Sequence, residues 1–200
     1  MNTLKKIFLI IIISISAGNI IPAQKQLPNG SKAPEINVTD HFVRNFNWNE
    51  KLKEGPVVVV FYRGQWCRYC NLYMYHLADS LSMITDLGAT LIAVTPENNK
   101  YIDETIMKTK ANFSIVYDVG HQIMDSYKVT WNVSKFANFF YKLRGIDLNK
   151  ASDGTDRALP VPATYIVGQD GKIKAGYFNK NYKYRMPVSK IVEELKKLSE

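Results

Sequence analysis

The chain has 200 residues, of which 46% are hydrophobic and 22% are charged. This balance fits one globular domain and excludes a disordered chain. Its two cysteines are too few for a disulfide-rich scaffold. The formal net charge of +8 favours acidic partners.

The first 23 residues have the layout of a secretory signal peptide. Two lysines precede an apolar run, Ile7 to Ile15, and small residues follow it. An uncleaved N-terminal anchor is the alternative, and it is less favoured because the run is shorter than the roughly 20 residues that span a bilayer. We therefore expect an exported protein, periplasmic or secreted, with a linker at 24–34 and a single domain at 35–200.

One stretch, 172–185, interleaves basic and aromatic residues as nucleic-acid-binding surfaces do. An exported protein rarely meets nucleic acid, and Lys172 to Ala175 alternate as in a half-exposed strand. Removal of residues 1–23 takes away two lysines and no acid, so the formal charge falls from +8 by two to +6. We expect a solvated face here, no nucleic-acid partner, and membrane contact only through an uncleaved N-terminal segment.

Hydrophobic periodicity predicts strands that alternate with helices along the rest of the chain. Continuous β-branched runs predict buried strands, and apolar stripes predict helices. The predicted strands are 57–61, 90–94, 113–118, 163–167 and 172–178; the predicted helices are the stripe from Tyr73 to Leu87, then 99–110, 120–127, 134–143 and 188–198, with a polar loop at 145–158. This order predicts a three-layer α/β/α domain whose mixed central sheet is mostly parallel and antiparallel at one edge.

The two cysteines, Cys67 and Cys70, follow the predicted strand 57–61 after a short turn and open a helix. Free backbone N–H groups at a helix start stabilise an anion, so we expect a lowered pKa for Cys67. The nearby cations Arg63 and Arg68 strengthen this expectation. A thiolate three residues before a second thiol is suited to thiol–disulfide exchange, in which Cys67 captures a substrate and Cys70 displaces it.

Two other interpretations of the cysteine pair are weaker. A zinc site needs four ligands, and the histidines, His41, His76 and His121, are scattered along the sequence. A purely structural disulfide that closes so short a loop would stabilise the fold by only about 2 kcal/mol. We expect no metal and no cofactor other than a redox-active Cys67–Cys70 disulfide.

The segment WCRYC, residues 66–70, resembles the active-site motif of the thioredoxin fold when it follows a buried strand. The stretch LPVPATYIVGQDGKI, residues 159–173, is similar to that fold's loop in which a cis-proline, here Pro162, precedes the next strand. Together with AVTPE at 93–97, these motifs resemble, in the same order, the peroxiredoxin-like branch of the alkyl hydroperoxide reductase/thiol-specific antioxidant family. The resemblance implies a thioredoxin-like fold and thiol redox chemistry.

The resemblance also implies that Pro162 packs against the cysteine pair and that the backbone beside it binds an extended substrate. We expect Trp66, Arg68, Val161 and Pro162 to bind the substrate. The family pattern has a proline where this chain has Arg68, and we expect the exchange to make the disulfide more oxidising. Many thioredoxins carry a buried aspartate where this chain has Phe61. Glu97 is a candidate to replace it as the proton acceptor, and an exposed loop acid is the competing interpretation.

Two functions fit these residues, and they assign the cysteines opposite roles. In an exported thiol–disulfide oxidoreductase, Cys67 attacks a protein disulfide, Cys70 resolves it, and an external thiol donor restores the pair. In a peroxidase, the resemblance places the peroxide-reactive cysteine at Cys70 and the resolving one at Cys67, with Arg63 or Arg68 stabilising the developing charge. The cysteine spacing favours the first function. A non-catalytic binding module is a third alternative, against which the intact cysteines and Pro162 argue.

Overall fold

The structure is a computed structural model that describes residues 24–154 and 157–199. The predicted signal peptide lies outside the described residues. The strands of the described part are β1 Val38–Thr39, β2 Asn45–Phe46, β3 Val57–Phe61, β4 Thr90–Thr95, β5 Ser114–Tyr117, β6 Thr130–Asn132, β7 Ala158–Pro160, β8 Ala163–Val167 and β9 Ile173–Phe178. Its α-helices are α1 Trp48–Glu54, α2 Arg68–Asp79, α3 Leu81–Thr85, α4 Asn99–Thr109, α5 Gln122–Ser126, α6 Lys135–Leu143, α7 Leu148–Ala151 and α8 Val188–Ser199. No helix within these ranges has the length and apolar character needed to cross a membrane.

Five strands form the central sheet in the order β5-β4-β3-β8-β9. The strands β3, β4 and β5 run parallel, whereas β8 is antiparallel to β3 and β9 is antiparallel to β8. Alternate side chains of β3 enter two separate hydrophobic clusters, one shared with α1 and α5 and the other with α2 and α8. The sheet is therefore covered on both faces, which confirms the predicted thioredoxin-like α/β/α fold.

One row of paired residues crosses the sheet and defines the edge that carries the site. Phe178 pairs with Ala163, Ala163 with Phe61, Phe61 with Val94, and Val94 with Val116. Because of the strand directions, the chain leaves β3, β4, β5 and β9 at this edge and enters β8 there. The segments that follow these four strands therefore meet the segment that precedes β8.

Two of the predicted elements differ from those in the structure. The stripe from Tyr73 to Leu87 forms two helices, α2 and α3, because Ser80, with φ −105° and ψ 17°, leaves α-helical geometry. The predicted polar loop at 145–158 contains α7, whose first turn is capped by the Asp147 carboxylate accepting the N–H of Lys150 at 3.2 Å. The sequence pattern does not predict the short elements β1, β2, α1, β6 and β7.

Residues 24–34, predicted to be a linker, lie against the sheet in this structure. The N–H of Gly30 donates to the carbonyl of Ile173 at 2.7 Å, and the N–H of Ala33 donates to the carbonyl of Gly171 at 2.9 Å. Leu27 is buried in the core. Backbone hydrogen bonds and apolar burial thus join this stretch to β9 and make it part of the folded unit.

Candidate active site

The loop after β3 turns the chain so that Cys67 becomes the N-cap residue of α2. The N–H of Cys67 donates to the carbonyl of Gly64 at 3.1 Å, and the Cys67 carbonyl accepts the N–H groups of Cys70 at 2.9 Å and Asn71 at 3.0 Å. This places the first cysteine at the strand-to-helix junction, as the sequence predicts.

Both cysteines are free thiols in this structure, and both are buried. They differ in their surroundings. Cys70 is entirely enclosed, whereas Cys67 also lines a groove of about 530 Å³. In the described part of the chain, no three His, Cys, Asp or Glu side chains come together as a metal site.

The cation that contacts a cysteine sulfur is Arg185. Its Nη2 donates to Cys70 Sγ at 3.2 Å. Its Nη1 donates to the carbonyls of Tyr182 and Tyr184, the latter at 2.9 Å, which fixes the guanidinium in place. Arg185 lies between β9 and α8, so it reaches the cysteines across the edge at which both β3 and β9 end. A charge-assisted contact of this kind stabilises a thiolate on Cys70.

The two thiols have opposite pKa shifts. Burial alone would raise the pKa of Cys70, but the hydrogen bond from Cys67, the Arg185 guanidinium and the backbone N–H of Arg63 together lower it from 9.0 to about 6. The hydrogen bond to Cys70 and burial raise the pKa of Cys67 well above its ordinary range. The lowered pKa therefore belongs to Cys70, and the expectation of a lowered pKa for Cys67 is wrong. The helix-start effect is outweighed because the Cys67 thiol donates its hydrogen bond to the Cys70 sulfur and because Arg185, distant in the sequence, lies beside that second sulfur.

Arg63 and Arg68, the two arginines expected from the sequence, have different roles in the structure. The buried Arg63 guanidinium lies over the rings of Trp66 and Tyr182, at 4.9 and 4.6 Å from their centroids, and donates to the hydroxyl of Tyr141. It thus adds positive charge near the sulfurs without contacting them directly through its side chain. Arg68 is exposed at the rim of the groove.

Glu97, the predicted auxiliary acid, is buried and lies close to the active-site loop. Its Oε2 accepts the N–H of Gln65 at 2.7 Å, and its Oε1 has no hydrogen-bond partner. Burial raises the pKa of Glu97 to about 8, and the nearby charge of Cys70 adds to that shift. The interpretation of Glu97 as an exposed loop acid is therefore wrong. A carboxyl group that is neutral at pH 7 can donate a proton beside the cysteine pair.

The pKa of Glu97 predicts how stability varies with pH. Because its carboxyl titrates near pH 8 when folded and near 4.5 ordinarily, the folded state holds the extra proton between these values, and stability falls as pH rises through them. Glu97→Gln should flatten this slope and gain about 2–5 kcal/mol relative to the wild type at pH 8. Urea denaturation of both proteins at pH 5 and pH 8 measures the difference. Because the charges of Glu97 and Cys70 interact, the same comparison in a Cys70→Ser background isolates Glu97, and identical slopes there would contradict the expectation.

Gly64 allows the active-site loop to pass close to Glu97 and Trp66. Its φ is +144°, and a Cβ there would lie 2.4 Å from Glu97 Oε1 and 2.8 Å from Trp66 Nε1. We expect Gly64→Ala to destabilise the fold by at least about 2 kcal/mol, because backbone strain and the clash add. Gly88→Ala is the matched control, since Gly88 also has positive φ, +74°, with nothing within 4 Å of its Cβ position. Equal losses in the free energy of unfolding, measured by urea denaturation, would show that the close approach of Gly64 to Glu97 and Trp66 does not contribute to the effect.

The four expected substrate-binding residues border two adjoining cavities. Trp66 and Arg68 line the groove beside Cys67. Val161 and Pro162 line a neighbouring pocket of about 240 Å³, and Arg63 borders both. The expected cis-proline is not observed, because the described residues contain no cis peptide bond. The N–H of Val161 donates to the carbonyl of Val129 at 2.8 Å, which continues the pairing of β6 with β7 by one residue, up to Pro162.

The model of the AhpC/TSA family matches residues 29–175. The chain belongs to the AhpC/TSA family. This AhpC/TSA protein is 27% identical over 115 residues to the "Putative peroxiredoxin bcp" of Haemophilus influenzae, with 56% of this chain and 71% of that protein covered. Its membership makes the protein a thiol-dependent oxidoreductase of the peroxiredoxin-like kind.

Two solved structures from Mycobacterium tuberculosis have the fold of this AhpC/TSA protein. Peroxidoxin BcpB has a TM-score of 0.67 and 12% identity, with 86% of this chain and 99% of that chain covered. A secreted disulfide oxidoreductase has a TM-score of 0.56 and 16% identity, with 82% and 96% covered. At such low sequence identities these similarities show the fold alone. The two proteins, a peroxidoxin and a disulfide oxidoreductase by name, share that fold.

Proposed function

We propose that the protein is an exported thiol-dependent peroxidase in which Cys70 reacts with the peroxide and Cys67 resolves the product. The observation that carries the proposal is the contact between Arg185 Nη2 and Cys70 Sγ at 3.2 Å. A thiolate is the nucleophile of peroxide reduction, and a guanidinium beside it stabilises both the thiolate and the negative charge that develops on the departing oxygen. Membership in the AhpC/TSA family supports peroxide as the substrate.

The reaction proceeds in two steps at the two sulfurs. The Cys70 thiolate attacks the terminal oxygen of ROOH, the O–O bond breaks, and RO⁻ leaves as ROH with a proton, for which neutral Glu97 is a nearby source. Cys70 becomes a sulfenic acid. The Cys67 sulfur then attacks Cys70, a disulfide forms, and water leaves. Two equivalents of an external thiol reduce this disulfide and become a disulfide themselves.

A second candidate function is thiol–disulfide exchange initiated by Cys67. It is favoured by one specific observation: Cys67 lines the groove, whereas Cys70 is fully enclosed. A protein disulfide is too large to reach Cys70 and would meet Cys67 first. In this reaction Cys67 forms the mixed disulfide, and Cys70 displaces the partner's thiol.

Trapping of the sulfenic acid separates the two functions. The full chain carrying Cys67→Ser is treated with one equivalent of hydrogen peroxide in the presence of dimedone, and the labelled residue is located by mass spectrometry. We expect the label on Cys70, and no label on Cys67 in the reciprocal Cys70→Ser protein. If Cys70→Ser instead accumulates mixed disulfides with protein substrates and neither variant gives a sulfenic acid, the exchange function replaces the peroxidase. Circular dichroism confirms that each variant is folded.

Export is the second part of the proposal and rests on the sequence of residues 1–23. The basic start and the apolar run Ile7 to Ile15 support it. Cell fractionation combined with N-terminal sequencing of the mature protein tests it. Recovery of the intact N-terminus in the cytosolic fraction would contradict export, and an intact N-terminus in the membrane fraction would identify an uncleaved anchor.

A further inference from the structure

Helix α6 presents an apolar stripe to solvent. Phe136, Phe139, Phe140 and Leu143 follow the i, i+3, i+4, i+7 spacing that normally faces a core, yet Phe136 is 74% exposed and Leu143 is 67% exposed. The opposite side of α6 contacts the protein, with Asn138 buried there. A stripe of four large apolar side chains on one short helix is more than the scattered exposure usual on a soluble surface, and it marks an interaction site.

The chain around this stripe is positively charged. Between Tyr127 and Ile146 there are four cations, Lys128, Lys135, Lys142 and Arg144, and no acidic residue. The segment from Gly171 to Val192 likewise contains no acidic residue. Its Tyr182 lines the same groove as Phe136, so the two acid-free segments border one surface. The charge of that surface complements an anionic partner.

Exposed aromatic side chains with polar groups surround the same surface. Trp131, Tyr69, Tyr182 and Tyr184 are all exposed, and the rings of Tyr69 and Tyr182 are 5.8 Å apart. Tryptophan and tyrosine are favoured where an apolar phase meets water, because one end of each ring is apolar and the other carries a hydrogen-bonding group. A combination of phenylalanine and leucine on one helix face with flanking lysine and arginine is the pattern of interfacial helices.

The first described residue lies at the same surface. Gln24 Nε2 donates to the carbonyl of Thr130 at 2.7 Å, and Gln24 borders the pocket that Trp131 and Tyr182 line. The apolar run Ile7 to Ile15 precedes this point in the sequence. Ile15 is nine residues before Gln24, a separation of at most about 32 Å even when fully extended. Where the run stays uncleaved, the membrane that holds it is therefore within reach of the α6 stripe.

We propose that the α6 stripe and the basic residues beside it dock the protein on the surface of an anionic phospholipid bilayer, with the groove at Cys67 facing the lipid. The stripe inserts at the boundary between headgroups and acyl chains, and Lys135, Lys142 and Arg144 contact the phosphates. An acidic protein would satisfy the cations but would leave little reason for four exposed apolar side chains on one face. The docking does not depend on which of the two candidate reactions the cysteines perform.

Vesicle binding by the full chain tests this proposal. Vesicles of phosphatidylcholine with one quarter phosphatidylglycerol are compared with vesicles of phosphatidylcholine alone by co-sedimentation. We expect Phe139→Ser/Leu143→Ser to weaken partitioning into the anionic vesicles at least about tenfold, and Lys135→Glu/Lys142→Glu to weaken it by a similar factor. Neither pair lines the groove, so hydrogen peroxide consumption should not change. Met83→Ser/Met107→Ser, which alters two exposed methionines elsewhere, is the matched control and should bind as the wild type does.

Tryptophan quenching distinguishes docking of α6 from tethering by residues 1–23. The measurement uses a Trp66→Phe background, because Trp66 also lines the groove, and Trp48 is buried. Brominated lipids in the anionic vesicles should then quench Trp131 fluorescence, and Trp131→Phe should remove the quenched component. Loss of quenching in Phe139→Ser/Leu143→Ser supports the proposal. Equal binding and quenching in all variants would show that the N-terminal run alone holds the lipid and would overturn it. Binding to polyglutamate with no binding to vesicles, or a dimer that the stripe variants dissociate, would assign the surface to a protein partner and also overturn it.

Discussion

Replacement of Cys70 by serine is expected to abolish peroxide consumption, with a loss of at least about a thousandfold. Cys70 is the sulfur that Arg185 contacts at 3.2 Å and the thiol whose pKa is lowered, to about 6. A serine hydroxyl at the same place stays protonated at neutral pH and offers no comparable nucleophile. Stopped-flow measurement of the first turnover with hydrogen peroxide gives the rate of this step alone.

The matched variant is Cys67→Ser, which should keep the first turnover and lose formation of the intramolecular disulfide. Its steady-state rate then depends on how fast the external thiol reduces the Cys70 sulfenic acid. The serine hydroxyl can still donate a hydrogen bond to the Cys70 sulfur, so the thiolate retains part of its stabilisation. If Cys67→Ser eliminates the first turnover and Cys70→Ser retains it, the roles assigned to the two sulfurs are reversed.

Removal of the guanidinium of Arg185 is expected to have the next largest effect. Arg185→Met keeps much of the side-chain length and removes the donor to Cys70 Sγ, so the pKa of Cys70 should rise. A hydrogen bond to a charged group contributes about 1.5–3 kcal/mol, which corresponds to a pKa increase of about 1–2 units. From a starting pKa of about 6, the fraction of Cys70 that is thiolate, and with it the reactivity, should fall about 2- to 15-fold at pH 7 and about 7- to 80-fold at pH 6. The loss of reactivity in Arg185→Met should become smaller as pH increases, because the Cys70 thiol of the variant then ionises without the guanidinium. The pH profile of iodoacetamide alkylation measures this directly.

Two control variants distinguish the effect of the Arg185–Cys70 contact from the effect of positive charge elsewhere near the site. Arg68→Met removes an exposed guanidinium near the same helix start and should change the alkylation rate less than about threefold, because solvent screens an exposed charge. Arg185→Lys restores a cation on a side chain of comparable reach and should recover part of the rate. A merely structural role for Arg185 would lower the rate equally at all pH values, and that result would contradict the assignment.

The sequence predicts the fold well because the central strands are buried on both faces. Val57–Phe61 and Ala163–Val167 are continuous apolar runs with the predicted bounds, and no helical pattern competes with them. Short elements are not predicted because their register depends on partners distant in the chain; β7, for example, pairs with β6 across the insertion that contains α6. The single predicted helix divides at Ser80, where local periodicity continues but the backbone turns.

The site is only partly predictable for a related reason. Local spacing places Cys67 at the start of α2, and the parallel pairing of β3 with β4 brings Glu97 to the same edge. Arg185 was missed because no motif surrounds it. The one available indication was topological: a strand antiparallel to β8 ends at the edge where β3 ends, so the residues after β9 arrive beside the cysteines. The contact between Arg185 and Cys70 contributes to the preference for negative charge on the Cys70 sulfur.

The contact between Arg185 and Cys70 joins residues 115 positions apart. A chain that has not yet folded β9 and the segment after it therefore lacks the guanidinium that stabilises a thiolate on Cys70. The full reactivity of Cys70 therefore requires that the C-terminal part has folded, and we expect a nascent chain to react with oxidants more slowly than the folded protein does. Completion of the fold contributes directly to activation of the nucleophile.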